Sequence, residues 1–225
     1  MPLTTFNNWF DTNWKGKQIP STLPIEKRLF LSEMFTFYSV ANTIWNSFTQ
    51  QQHDDQIFEY KQLIYPQLRR LLEFYFRAIY IFEDLTNTAQ ISTRINDYLA
   101  FVRSQYNKMW NDINSNEQSL IAGGFDSVIN PMIPKLPAKM QPARKDTIYG
   151  NVSNLLRNTH RNGPDMSALY TLYRITSFYS HGDINFEIMA HISPTGNMNF
   201  PIMKTEKALD LMASEYEHLI KELSL

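Results

Sequence analysis

The stretch LRRLLEFYFRAIYIFE, residues 68–83, decides the fold of this chain. Its apolar side chains recur every three or four residues, which is the period of an α-helix, and they cover most of the circumference. One side is wholly apolar, and the other holds a narrow charged strip. The apolar side carries Leu68, Leu71, Leu72, Tyr75, Ala78, Ile79 and Phe82, and the strip carries Arg70, Glu73, Arg77 and Asp84 between Phe74, Phe76, Tyr80 and Ile81. Because so little of this helix suits water, we expect the strip to face an internal cleft or a partner subunit. The alternative is a solvated strip of charge pairs.

The rest of the chain indicates the same fold class. Helical periodicity predicts that residues 68–83 belong to a helix over 56–84, bent near Pro66. The same periodicity predicts helices over 25–49, 91–113, 143–159, 165–180 and 204–223. Glycine is scarce, at 7 of 225 residues, which disfavours a turn-rich β protein. We therefore expect a mainly α protein, an antiparallel bundle of about five to seven helices. Two apolar runs around residues 193–197 predict one small β-hairpin over 187–203, near the C-terminus.

The domain organisation is simple. Residues 25–225 are expected to form one helical domain, preceded by an irregular arm, 1–24, that aromatic side chains pin to the body. A stretch rich in proline and glycine, 114–142, is expected to be a long surface loop or flap. The apolar circumference of residues 68–83 exceeds what a surface helix of a monomer needs, so we expect a homodimer.

Composition excludes several classes of site and location. The chain has no cysteine, which excludes disulfides, thiolate catalysis and cysteine–zinc sites. Glu215 and His218 have the spacing of half a di-iron motif, but no second copy exists, so we expect neither a metal nor a cofactor. The N-terminus lacks the pattern of a signal peptide, and no run of about 18 apolar residues occurs. A cytoplasmic protein that does not enter a membrane is the expectation.

The helix expected over 165–180 carries a polar face opposite its apolar stripe. Residues seven apart differ by about 700° of rotation, so Arg174 and His181 share one face, roughly 10.5 Å apart. Ser167, Tyr170 and Ser177 lie beside them. A fixed cation next to a ring that titrates near neutrality suits a phosphate-handling site. The alternative is a surface arginine with a histidine that caps the helix and interacts with its dipole.

Arg174, the six residues that follow it and His181 resemble the Arg-x(4–6)-His signature of the HEPN superfamily (higher eukaryotes and prokaryotes nucleotide-binding). With the helix at 68–83 and an ending S-x-x-S-H-G over 177–182, residues 56–190 are similar to all-helical bacterial proteins placed in that superfamily. The resemblance implies a metal-independent endoribonuclease of a bacterial defence or stress system, such as toxin–antitoxin pairs or phage defence. His181 would do the acid–base work and Arg174 would hold the phosphate. Two such motifs would meet across a dimer interface.

Positive charge is concentrated around this motif. Residues 135–182 carry seven basic and two acidic side chains, whereas the whole chain has a net charge of −1. A local anion-attracting patch is the functional interpretation, and ordinary variation along a chain is the other. The candidate contacts to RNA, a nucleotide or its phosphates are Arg70, Glu73, Arg157, Tyr170 and Ser177.

Two other functions stay open from the sequence. The first is an inactive HEPN-like module that binds a nucleotide, an RNA or a protein partner. Ile175 favours it, because the superfamily often has a small polar or acidic residue directly after the arginine, and so does the modest net charge. The second is a helical scaffold whose polar face has no role.

Overall fold

The computed structural model describes residues 2–50, 58–124, 140, 148–160, 163–181 and 203–225. These residues form helices and connecting turns without a strand, so the predicted mainly α class is confirmed. The helices in chain order are α1 (Pro2–Asn13), α2 (Ile25–Gln50), α3 (Phe58–Ile81), α4 (Thr88–Ala122), α5 (Val152–Arg157), α6 (Pro164–His181) and α7 (Thr205–Glu222). None of them combines the length and the apolar character that crossing a bilayer requires.

Helix α3 occupies the centre of the described structure. It packs most extensively against α6 and α2, and it also contacts α5 and α4. Pro66 lies inside α3 without ending it. The side chains of its apolar face are buried within this one chain, including Leu68, Leu71, Leu72, Tyr75, Ala78 and Ile79. The apolar circumference of α3 therefore has its partners inside the chain, which removes the reason that the sequence gives for a homodimer.

The N-terminal segment is helical, and the prediction of an irregular arm over 1–24 is wrong for residues 2–13. Leu3, Phe6 and Phe10 follow a helical spacing and are all buried. The Phe6 ring meets the Phe37 ring edge-on at 5.0 Å, and the Phe10 ring stacks on Tyr38 at 4.2 Å. The helix forms because burial of these side chains needs one continuous apolar face, which an irregular chain would not provide.

Two other expected boundaries differ from the structure. Helix α4 extends to Ala122, so the first part of the loop expected over 114–142 is helical; of the remainder, the structure describes 123, 124 and 140. Within the helix expected over 143–159, only Val152–Arg157 is helical among the described residues. The hairpin expected over 187–203 lies outside the described residues, apart from Met203.

A buried ion pair joins the end of α3 to α4. Arg94 of α4 lies 3.1 Å from Glu83 Oε2, donates a hydrogen bond to the Tyr80 carbonyl and covers the Tyr80 ring at 4.1 Å. Tyr149 donates its hydroxyl proton to the Arg94 carbonyl at 2.6 Å. The ion pair of Arg94 and Glu83 fixes α4 to the segment just past α3, and the Tyr149 hydrogen bond fixes the segment before α5 to α4.

The other carboxylate oxygen of Glu83, Oε1, binds the segment that follows α5. Glu83 Oε1 accepts hydrogen bonds from the Thr159 hydroxyl, at 2.6 Å, and from the His160 backbone N–H. Burial alone would raise the pKa of Glu83, but these bonds and Arg94 outweigh it and hold the pKa below its ordinary value. The segment that follows α5 is therefore anchored by a charged group just past the end of α3.

We predict that Phe6→Ala destabilises the protein by about 3–5 kcal/mol, because it removes a fully buried aromatic ring and leaves a cavity between α1 and the core. Urea unfolding followed by circular dichroism measures the change. Thr12→Ala is the control, since Thr12 is an exposed residue of the same helix and donates only to the Asn8 carbonyl. Equal losses in the two variants would show that α1 is not part of the cooperative core.

Candidate functional site

Helix α6 carries both Arg174 and His181 on one continuous backbone, Pro164–His181. Its packed side holds the buried residues Leu169, Leu172 and Thr176, which agrees with the predicted apolar stripe. Arg174 is exposed and has no hydrogen bond or ion pair with the described residues. His181 is the last helical residue, and its side chain lies outside the part of the chain that the structure describes.

Ile175, directly after Arg174, is buried. A residue that follows another on a helix is turned by about 100°, so Arg174 and Ile175 lie on different faces of α6. Ile175 therefore belongs to the packed side. A polar or acidic side chain at this position would have to be buried there, at a cost in stability.

Tyr173 links α6 to α3, and Ser177, on the polar face of α6, is hydrogen-bonded to the backbone of its own helix. The Ser177 hydroxyl donates to the Tyr173 carbonyl at 2.7 Å, so its proton is engaged within α6. The Tyr173 hydroxyl lies 3.5 Å from Glu73 Oε1 on α3. Glu73 thus contacts the residue next to Arg174, although neither Glu73 nor Arg70 forms an ion pair or a hydrogen bond with Arg174 among the described residues.

The charged strip is half-buried in its middle, at Glu73 and Arg77, and exposed at its two ends, Arg70 and Asp84. Glu73 lies between two arginines of its own helix, 3.1 Å from Arg69 Nε and 3.7 Å from Arg77 Nη2. The side chains of Arg69, Glu73 and Arg77 are only 20%, 26% and 18% exposed. Arg70 is exposed, with its guanidinium 5.5 Å from the Phe74 ring centre. The middle of the strip therefore faces the neighbouring helices, and its two ends face water.

Glu33 of α2 lies next to this strip and was not among the residues that the sequence singles out. It is only 9% exposed, and its Oε2 atom has no hydrogen-bond partner; the same is true of the buried Nε atom of Arg77. Burial raises the pKa of Glu33 to about 7, although the charges of Arg77 and Arg70 act in the opposite direction. Its burial could have been inferred from its position in the sequence, because Glu33 lies three residues after Phe30 and four before Phe37, on the apolar face of α2.

Glu33 also affects the tyrosines that face it. Burial, followed by the charge of Glu33, raises the pKa of Tyr98 on α4 and that of Tyr216 on α7. Glu33 is thus a titratable group inside the junction of α2, α3, α4 and α7. Its ionisation opposes folding, because a carboxylate loses hydration there that the two arginines only partly replace.

A groove between α5 and α6 brings together two of the predicted contact residues, Arg157 and Tyr170. Its other lining residues are Ser153, Leu156 and Thr159. Arg157 is exposed and has no ion pair with the described residues. The described part of the chain contains no group of three or more histidine, aspartate or glutamate residues that could hold a metal ion. An exposed guanidinium beside a tyrosine ring can bind an anion that carries an attached ring.

We predict that the protein loses stability as the pH rises from 5 to 8, and that Glu33→Gln reduces this loss. The pKa of Glu33 in the folded chain is about 7, above the ordinary value of 4.5. The stabilising contribution of this group is therefore complete below about pH 4.5 and disappears as the pH rises through 7.

Thermal unfolding at several pH values measures the effect, since about 1 kcal/mol corresponds to about 2–4 °C in a chain of this size. Glu222→Gln, at an exposed position of α7, is the control and should leave the pH dependence of the wild type unchanged. An identical pH dependence in the wild type and in Glu33→Gln would contradict the assignment.

No family model, curated protein or solved structure matches this chain. Its functional assignment therefore depends on the residues and the geometry described above.

Proposed function

We propose that this protein is a HEPN-like, metal-independent endoribonuclease whose site lies on the polar face of α6. The single observation that carries the proposal is the state of Arg174. Its guanidinium is exposed and unpaired among the described residues, and its helix ends at His181. A guanidinium without an internal partner is available for a phosphate, which it can bind through two parallel hydrogen bonds.

The chemistry needs no metal. His181 takes the proton of a ribose 2′-hydroxyl, and the 2′-oxygen attacks the adjacent phosphorus atom. A 2′,3′-cyclic phosphate forms, the bond from phosphorus to the 5′-oxygen breaks, and the proton is returned to that oxygen. Arg174 holds the non-bridging oxygens and offsets the negative charge that develops on them in the transition state.

The other residues have supporting roles in this proposal. Arg157 and Tyr170 contact a neighbouring nucleotide in the groove between α5 and α6. Glu73, through Tyr173, maintains the position of α6 against α3, and the Ser177 oxygen, whose proton is engaged within α6, accepts a hydrogen bond from the RNA. Arg70 is exposed on the strip of α3 and adds a further phosphate contact.

The homodimer and the biological setting of this proposal come from the resemblance of Arg174 and His181 to the HEPN signature. A homodimer would place two Arg174/His181 pairs at one interface, and a second imidazole there would serve as the acid while the first serves as the base. Such an enzyme would act on RNA in the cytoplasm as part of a bacterial defence or stress system.

A second candidate is a HEPN-like module that binds RNA, a nucleotide or a protein partner without cleaving RNA. The burial of Ile175 favours it, because the position directly after Arg174 then offers no polar group to the site.

We predict that the purified protein cleaves RNA in the presence of EDTA and leaves 2′,3′-cyclic phosphate ends. His181→Ala should lower the cleavage rate by about 10²–10⁴-fold, which is the usual contribution of a general acid–base group, with little change in melting temperature. Cleavage of a labelled RNA, with analysis of its ends, measures both effects. His218→Ala is the control, since His218 is an exposed histidine of α7.

Three outcomes distinguish the candidates. RNA binding without cleavage at any protein concentration would favour the binding module. Full cleavage by His181→Ala would contradict the catalytic assignment. Neither binding nor cleavage would leave a helical scaffold as the remaining function.

A further inference from the structure

The rings of Tyr170 and Tyr173 form a short stack on α6. Their centres are 6.1 Å apart and their planes differ by 26°, which is a near-parallel, offset arrangement. At the inner end of the stack, the Arg69 guanidinium of α3 lies 5.9 Å from the centre of the Tyr173 ring. At the outer end, Tyr170 lines the groove between α5 and α6. Arg69 therefore covers the end of the stack that faces α3, and the Tyr170 end borders the groove.

The groove has the polar groups that a nucleotide would need around such a ring. Arg157 supplies an exposed guanidinium that is not paired with the described residues, and Ser153 supplies a hydroxyl. The groove residue Thr159 donates a hydrogen bond to the negatively charged carboxylate of Glu83. Arg94 pairs with that carboxylate at 3.1 Å, so the charge of Arg157 is the one that an incoming anion meets.

We propose that this groove is a nucleotide subsite, in which an unpaired base continues the stack on Tyr170 and Arg157 binds the attached phosphate. A base in a duplex has neighbours on both faces, whereas a base in a single strand can turn one face to a protein ring. The ligand class is therefore a nucleoside phosphate, alone or as a unit of single-stranded RNA.

The position of this subsite relative to the cleaved bond rests on the proposed function, in which Arg174 binds the phosphate at that bond. Tyr170 precedes Arg174 by four residues, so the two side chains are neighbours on one helix face, about 6 Å apart along the axis. A strand whose base stacks on Tyr170 would place an adjacent phosphate near Arg174. The subsite would therefore select unpaired RNA and set the register of the strand at Arg174.

The test compares AMP with ribose 5-phosphate, which has the same sugar and phosphate but no base, by calorimetric titration of the full-length protein. If the base stacks on Tyr170, AMP should bind about 5- to 150-fold more tightly than ribose 5-phosphate. Tyr170→Leu should remove this ratio, and Tyr170→Phe should keep it because the ring remains. Arg157→Gln should weaken both ligands.

Arg103→Gln is the matched control for loss of a charge. Arg103 is an exposed arginine of α4 that, among the described residues, donates only to the Leu99 carbonyl, so both affinities should stay at the wild-type value. The proposal is overturned if ribose 5-phosphate binds as tightly as AMP, if neither ligand binds at millimolar concentration, or if Tyr170→Leu, folded by circular dichroism, keeps the wild-type ratio.

The two proposals can fail separately. In the His181→Ala variant, binding of AMP over ribose 5-phosphate should remain, because His181 has no role in the groove. A protein that shows this preference but never cleaves RNA retains the subsite and loses the nuclease. A protein that cleaves RNA without the preference retains the nuclease and loses the subsite.

Discussion

The structure depends on one constraint, the need to cover α3 on nearly all sides. Its apolar side chains leave only a narrow polar arc, and each large side chain that is fully buried contributes about 1.5–3 kcal/mol. The helices α2, α4, α5 and α6 all contact α3 and satisfy this need. The position of α6 follows from it, since Leu169, Leu172 and Thr176 occupy its packed side and Arg174 is left exposed. The candidate site is thus a consequence of which face of α6 the core requires.

Four charged side chains lie buried or half-buried around α3: Glu83 just past its end, Arg94 on α4, Glu33 on α2 and Arg77 on α3 itself. The fold neutralises them to different degrees. Glu83 and Arg94 neutralise each other and satisfy neighbouring backbone groups, which is how buried ions are normally tolerated. Glu33 and Arg77 do not achieve this, because each retains a buried polar atom without a hydrogen-bond partner. A group of this kind costs stability. Burial raises the pKa of Glu33 to about 7, so we expect the stability of the protein to depend on pH near neutrality.

The sequence predicted the elements whose pattern is local and strong. The bounds of α6 and α2 agree with the helical period to within a residue or two, and the exposed Arg174 follows from the same period. The helix at the N-terminus was not predicted, because its period extends over only Leu3, Phe6 and Phe10 among polar residues. Glu33 was not predicted either, since the burial of one carboxylate depends on which helices meet there. The groove of Arg157 and Tyr170 joins residues of two helices, and only tertiary packing places them together.

The central claim is that Arg174 binds a phosphate of RNA. The most direct measurement is the dependence of single-stranded RNA affinity on salt concentration, made in the His181→Ala background so that RNA is cleaved only slowly during the measurement. Each phosphate contact contributes about 0.7 to the slope of log affinity against log salt for a single strand. We expect Arg174→Gln to lower the magnitude of this slope by about 0.7, together with the affinity. An unchanged slope and affinity would contradict the account, because Arg174 would then make no contact with the RNA backbone.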